Sequence, residues 1–413
     1  MLVKLTLLDC LFILLSIRVF ISFCGFESSF FKVYLSVLYY CALRRCDLMW
    51  SDAYASCCES IGVAPRAEVL QLSGGSLVAQ GNTFENFKNR VSDADVKAVC
   101  DAAVLCPVLA ELILPYNNIT DTGATHIAEA LQKGVDTVQT IDLSQNAIAE
   151  QGGTALVAAL RAQTSVAALC LAGNPLGGTC GPPIADMLAT NACVTKLDLY
   201  NTDMDMKALV HITEALVHNE TLLSLNIGKP LLSNPDDVNY VVHHLSLGLQ
   251  RNTALCDLNL SHFNLTDIHL EMLLNPLCTC NIISLTLKGN KLSQDAGALL
   301  AKLLERKENF ICLDVSYNRL RDKGSVSLAK SVKAHSRLRF LSLENNSMGT
   351  VGIKSMVDAV CACQTIETFL IWGNDFSDNV APQIYDAKDR LETLSVCDIG
   401  LYEVGDQPSV YRK

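Results

Sequence analysis

Three aspartates, Asp142, Asp198 and Asp314, each sit inside a triplet of the form apolar-Asp-apolar, in "IDL", "LDL" and "LDV". In an extended chain alternate side chains point to opposite faces, so the three carboxylates face away from the aliphatic residues on either side of them. Glu344 stands two positions further along its own triplet, and Tyr116, Tyr200, Tyr317, Phe340 and Trp372 fall on or beside the same stretches. Aromatic side chains flanked by charges supply the large anchors that protein interfaces favour. The plainer alternative is a solvated polar surface with a few aromatics tucked against their neighbours.

Other residue types capable of chemistry lack the partners they need. Eight histidines are present, none in H-E-x-x-H, and the adjacent His243 and His244 fall on different faces of a helix. No G-x-S-x-G is present to form a nucleophile elbow. Cys170, between Leu169 and Leu171, should face the open side as a thiol without a basic neighbour. The pairs Cys278/Cys280 and Cys361/Cys363 are C-x-C, with no second pair at zinc-site spacing. In "GNPLGGTCG" the glycines Gly173 and Gly178 have phosphate-loop spacing, but Thr179 stands where the phosphate-binding lysine belongs. No catalytic residue, metal site or cofactor is expected. A formal charge of -11 argues against nucleic acid, whose binding needs a basic stripe.

The elements that position these residues repeat. "LILPYNNI", "IDLSQNAI", "LCLAGNPL", "LTLKGNKL", "LDVSYNRL", "LSLENNSM" and "FLIWGNDF" place Asn117, Asn146, Asn174, Asn290, Asn318, Asn346 and Asn374 at one position of a common pattern. From 290 to 318 to 346 to 374 the step is 28 each time. Degenerate copies carry Thr202, Pro230 and Phe263 at that position, and the outer copies "LQLSGGSL" and "LSVCDIGL" carry Gly75 and Ile399. That makes about twelve units between residues 67 and 403. Insertions are expected near "FENFKNRVSDADV" and "SNPDDVNYV", where the steps lengthen.

Within a unit, the aliphatic pair of each strand points inward, the chain turns, and a helical stretch such as "AGALLAKLLERK" lays its apolar face over the core. Gly123, Gly152, Gly297, Gly324 and Gly352 follow most of the turns, where a helix start needs a close approach. No unit can bury its own apolar face, so neighbours must stack. The expected fold is an α/β solenoid, a horseshoe with parallel strands on the concave face and helices on the convex face. The recurrent asparagine is a short amide able to bond backbone groups in the turn, and so is read as a structural ladder.

The motif L-x-L-x-x-N-x-L followed by a glycine, over about 330 of the residues, resembles the ribonuclease-inhibitor type of leucine-rich repeat. Relatives of that repeat type include the Ran GTPase-activating protein, the repeat arms of NOD-like receptors and ciliary dynein-regulatory-complex subunits. The resemblance implies a non-catalytic scaffold that binds a protein through its concave face; the outward positions of Asp142, Asp198, Tyr200, Asp314, Tyr317, Phe340, Glu344 and Trp372 make them the expected contact set, with Tyr317, Phe340 and Trp372 as its anchors. An acidic rim would steer a basic partner. The alternatives are GTPase activation of a Ran-like small GTPase, to which no residue can be matched, and a ciliary structural role. The chain has no phosphate loop and no long acidic tail after the last repeat.

Residues 1–48 have a different texture, rich in Leu, Phe, Ile and Tyr. As a membrane span they are interrupted by Asp9 and Arg18, short of the ~18 uncharged residues a span needs. As a signal peptide they have Asp9 inside the apolar stretch and no clear cleavage site. The abrupt change at Met49 favours a non-native upstream extension, with membrane attachment only if the segment is genuine. The expected division is 1–48 as extension, 49–403 as repeat array and 404–413 as a short tail. Eighteen cysteines without a disulfide framework point to a reducing cytoplasm, with a ciliary or nuclear location as alternatives. Sequons at Asn118, Asn219, Asn264 and Asn345 do not decide the compartment.

Overall fold

The computed structural model describes residues 49–413 except 85, 233, 378 and 406, so the expectations for 1–48 lie outside the described residues. Its centre is one sheet of twelve parallel strands in strict chain order, not closed on itself. The strands are β1 (Ser76–Val78), β2 (Glu111–Ile113), β3 (Thr140–Asp142), β4 (Ala168–Cys170), β5 (Lys196–Asp198) and β6 (Ser224–Asn226). They continue as β7 (Asp257–Asn259), β8 (Ser284–Thr286), β9 (Cys312–Asp314), β10 (Phe340–Ser342), β11 (Thr368–Leu370) and β12 (Val396–Cys397). The middle residue of each three-residue strand is buried, and these residues align across the whole sheet, Leu285 with Leu313 and Leu313 with Leu341. Each buried leucine contributes about 1.5–3 kcal/mol, obtained only when the next unit covers it. Helices cover the other side of that core, so the chain is an α/β solenoid with a strand-lined concave face.

The asparagines tie one unit to the next. Asn318, 4% exposed, donates to Val315 O at 3.0 Å in its own turn and to Leu287 O at 3.0 Å in the preceding unit, while accepting from Leu292 N at 3.1 Å. Asn117, Asn146, Asn174, Asn290, Asn346 and Asn374 likewise each bond a carbonyl of the preceding unit. A second line of bonds runs along the C-terminal ends of the helices. Buried Asn191, Asn219 and Asn252 donate to Leu160 O, Leu188 O and Leu216 O, and further along Lys307 and His335 take over that position. The Lys307 amine donates to Leu277 O at 3.0 Å and to Cys280 O, and burial pushes its pKa below the ordinary lysine value.

A third line joins the helix starts. Asp322 Oδ1 accepts from Gly349 N and Gly352 N of the next unit, both at 2.8 Å, and Asp121 accepts from Ala149 N and Gly152 N in the same way. A Cβ on Gly352 would sit 2.6 Å from Asp322 Oδ1. The glycine is therefore a clearance that lets the neighbouring carboxylate reach the helix start.

The register of the two outer units differs from the sequence reading. The "LQL" of "LQLSGGSL" is not the strand: Ala67–Leu70 is a short helix, and Gly74 and Gly75 turn with φ of 61° and 83° into β1. Its buried centre is Leu77, paired with Leu112, so the ladder position there is the exposed Asn82 and not Gly75. At the other end Phe369 pairs with Cys397, which places the last unit three residues later than the assignment of Ile399 to the ladder position. The first lengthened step contains the loop before the helix Asp93–Leu105, and the second contains the 17-residue helix Pro235–Arg251. Residues 404–413, read as a tail, include β14 (Gln407–Arg412), which pairs antiparallel with β13 (Ile399–Val404). Through the degenerate units the sheet continues unbroken, β5 to β6 to β7. Among the described residues no helix is long and apolar enough to cross a membrane.

Candidate functional site: the concave face

The first and third residues of most strands are half-exposed on the concave face. Asp142, Asp198 and Asp314 occupy the third position, and each folds back on its own turn. Their Oδ1 atoms accept from Ser144 N at 2.9 Å, Tyr200 N at 3.0 Å and Ser316 N at 2.9 Å. Asn226 and Asn259 make the same bond to Gly228 N and Ser261 N. These side chains are turn-forming Asx residues first, and their charge reaches the surface through what remains unbonded. Burial raises the Asp198 pKa above the ordinary carboxylate range, against the pull of the Tyr200 N–H.

Cys170 lies between Asp142 and Asp198 in register. Burial, with the two carboxylates adding to it, pushes its pKa up to about 12. It is a protonated thiol at neutral pH and a poor nucleophile. His243 is exposed, and His244 Nδ1 lies 3.1 Å from Glu214 Oε1. Among the described residues no three His, Cys, Asp or Glu side chains are placed to hold a metal ion.

The sequence-derived contact set divides into two groups. Asp142 on β3, with Asp198 and Tyr200 at and beyond β5, form one; Asp314, Tyr317, Phe340, Glu344 and Trp372, on or beside β9, β10 and β11, form the other. At ~4.8 Å per strand the β3 and β9 positions are about 30 Å apart along the sheet. In the second group Tyr317 is 48% exposed, donates its N–H to Glu344 O at 2.7 Å and has Lys288 Nζ 5.0 Å from its ring centre. Its φ is 56°, a left-handed conformation costly for a tyrosine; Tyr116, 42% exposed, repeats it at 61°. Phe340 is half-buried between Cys312 and Thr368. Trp372 is half-buried and stacked on Phe376, ring centres 5.5 Å apart, and its backbone N–H donates to Asp398 Oδ2 at 2.8 Å. Burial raises the Glu344 pKa, and Asp398 adds to the shift.

Sequence reasoning missed the residues of the turn column. The position just before each ladder residue has φ > 0 in ten successive units, from Tyr116, Gln145 and Gly173 to Tyr317, Asn345 and Gly373. In the degenerate middle it is occupied by Asn201, Lys229 and His262. Reading the repeats down this column, and not along each unit, would have exposed the two bases. The same reading would have found the helix-start aspartates, since Asp121 and Asp322 each stand four residues after a ladder asparagine.

A family model described as "Leucine Rich repeat" matches residues 105–128. The human NACHT, LRR and PYD domains-containing protein 14 is 27% identical over 260 residues, 62% of this chain and 23% of that protein. The Arabidopsis thaliana RAN GTPase-activating protein 2 is 26% identical over 121 residues, 29% of this chain and 22% of that protein. The chain thus spans about a fifth to a quarter of the curated relatives it matches. A yeast structure titled as the complex of Rad7 and Elc1 superposes with a TM-score of 0.54 at 16% identity, covering 90% of this chain and 93% of that one, a likeness of fold. Twelve stacked parallel strands joined by helices, a repeat-family match and these relatives identify the chain as a leucine-rich-repeat protein, related through its repeat to the NACHT-and-LRR proteins and to Ran GTPase-activating protein.

Proposed function

We propose that the chain is a non-catalytic scaffold that binds a protein partner through the concave face, chiefly at its C-terminal end. The observation that carries this reading is the half-open aromatic group Tyr317, Phe340 and Trp372, set on a frame of strand and turn bonds beside Glu344 and Asp314. Large rings on a frame already ordered lose little entropy on binding. The carboxylates beside them favour a partner that brings basic side chains to this end.

A photo-crosslinking residue in place of Trp372, compared with one at Tyr240 on the helix side, tests the assignment in extract of the native cell. The expected result is one discrete adduct from position 372 and none from 240; adducts from 240 alone would sink it. The partial similarity to RAN GTPase-activating protein 2 supports a second reading, acceleration of GTP hydrolysis by a small GTPase. A single-turnover hydrolysis assay over a panel of small GTPases decides it, and an unchanged rate removes it.

A further inference from the structure

The turn edge of the concave face becomes basic in the middle. Lys229 and His262 occupy the turn column of two successive units, and Lys288 stands one residue before that column in the next. Backbone bonds fix the three as adjacent rungs: Lys229 N to Ser261 O at 2.7 Å, His262 N to Lys288 O at 2.7 Å, and Gly289 N to Ser316 O at 2.9 Å. The His262 ring lies where a Cβ on Gly289 would have to be, so the glycine makes room for the imidazole. Tyr200 closes one side, edge-on to His262 with ring centres 6.4 Å apart, and Tyr317 closes the other beneath Lys288.

Among the described residues neither Lys229 nor Lys288 has a carboxylate within ion-pair distance. Asp257, at the start of β7, accepts from Ser224 Oγ at 2.7 Å at the opposite end of that strand from His262; Asp198 accepts from the N–H of Tyr200, and Glu344, which feels the Lys288 charge, and Asp314 lie beyond Tyr317. The His262 pKa is lowered by burial and further by Lys288 and Lys229, as expected where positive groups converge. In a chain of net charge -11 such a group is conspicuous. Its two neutral asparagines, Asn226 and Asn259, replace the aspartates that other units place at the third strand position.

We infer that Lys229, His262 and Lys288, walled by Tyr200 and Tyr317, form a binding site for an acidic stretch of a protein partner, whose carboxylates pair with the two lysines. The site deepens the concave-face reading and rests on it: the partner would lay an acidic segment across the centre and its apolar and basic side chains toward Trp372.

The test uses the full chain and a fluorescent poly-glutamate peptide, with poly-lysine, inorganic phosphate and RNA as competitors. Wild-type protein should bind poly-glutamate with an affinity that falls as salt rises. The pair Lys229→Gln/Lys288→Gln should weaken it about tenfold and Lys229→Glu/Lys288→Glu about a hundredfold or more, with unfolding midpoints unchanged. Equal binding by wild type and both variants overturns the site. Competition by phosphate or RNA as strong as by peptide overturns the acidic-protein assignment, and so does tighter binding of poly-lysine. Phe340→Ala/Trp372→Ala should leave poly-glutamate binding intact; a loss equal to that of the charge variants would mean there is no separate central site. The crosslink at position 372 reports the face and poly-glutamate reports the cluster, so the failure of one is distinguishable from the failure of the other.

Discussion

The units around Asn290, Asn318, Asn346 and Asn374 and those around Thr202, Pro230 and Phe263 make the same strands in the same register with different joints. In the first group one amide bonds its own turn and the preceding unit. In the second, the Thr202 hydroxyl donates only to Leu199 O at 2.7 Å in its own turn, and Leu231 N, just after Pro230, reaches Met204 O at 2.9 Å. Phe263 fills its position with a fully buried ring, its N–H taken by Asn290 from the following unit. What the array needs at the joint is therefore satisfied backbone groups and a filled volume, and the asparagine is one way to meet both. Where it is given up, the turn carries Lys229 and His262.

Putting the regular residue into the irregular site should break this comparison most sharply. Phe263→Asn leaves a void where a whole ring was buried and introduces an amide whose neighbours are not arranged for it. The expected cost is about 4 kcal/mol, in the range for deleting a buried aromatic, read as a lower denaturant midpoint. A variant as stable as wild type would mean the two kinds of joint are interchangeable. Next comes Asn318→Ala, which strands Leu292 N away from water and leaves the carbonyls of Leu287 and Val315 with one amide each, from Asn290 and Asn346. A loss of about 3 kcal/mol is expected, against about 1 kcal/mol for Thr202→Val, which removes a single bond. Equal losses would show that the bond between units adds nothing.

How far this was legible in the sequence depends on which direction it was read. The solenoid and its strand centres follow from a 28-residue step and from buried pairs such as Leu313 and Val315, because the same burial requirement recurs in every unit. At the ends a unit has a neighbour on one side only, so the requirement weakens; there the Gly74-Gly75 turn and the β13-β14 hairpin shifted the register. Of the face, the aspartates were readable as facing outward, but not as bonded to their own turns, since an Asx bond depends on a local φ and ψ that composition does not reveal. The basic cluster was missed because its members are 33 and 26 residues apart along the chain and come together only when the units are aligned one on another.

A smaller effect separates the third-position aspartates from the asparagines of the middle. Asp198→Asn keeps an acceptor for Tyr200 N but removes a charge that burial disfavours. The unfolded pKa is 3.8 and the folded one is higher, so the folded state binds more protons between the two. Stability from this group is fully present below the unfolded value and is lost as pH rises through the folded value. The variant, which cannot titrate, should thus match wild type near neutral pH or exceed it, and lose that margin as the solution is acidified. A gap that is the same at every pH would mean Asp198 does not feel its burial.

The smallest expected change in stability is at Tyr317, and it bears most directly on function. A left-handed tyrosine costs on the order of 1 kcal/mol relative to a residue at ease there, and the Lys288 contact returns about 0.5–1 kcal/mol. Tyr317→Asn relieves the first and removes the second, so its unfolding midpoint should stay close to wild type; Asn345, at the same column position, already adopts a φ of 50°. If the tyrosine were there for the fold, the variant would be measurably weaker. If it is there for a partner, stability holds while the crosslink from position 372 fades and poly-glutamate binding at Lys288 falls. The conformational cost is then kept in a regular unit for the same reason that the irregular ones keep Lys229 and His262, as a contact surface that the backbone tolerates without needing it.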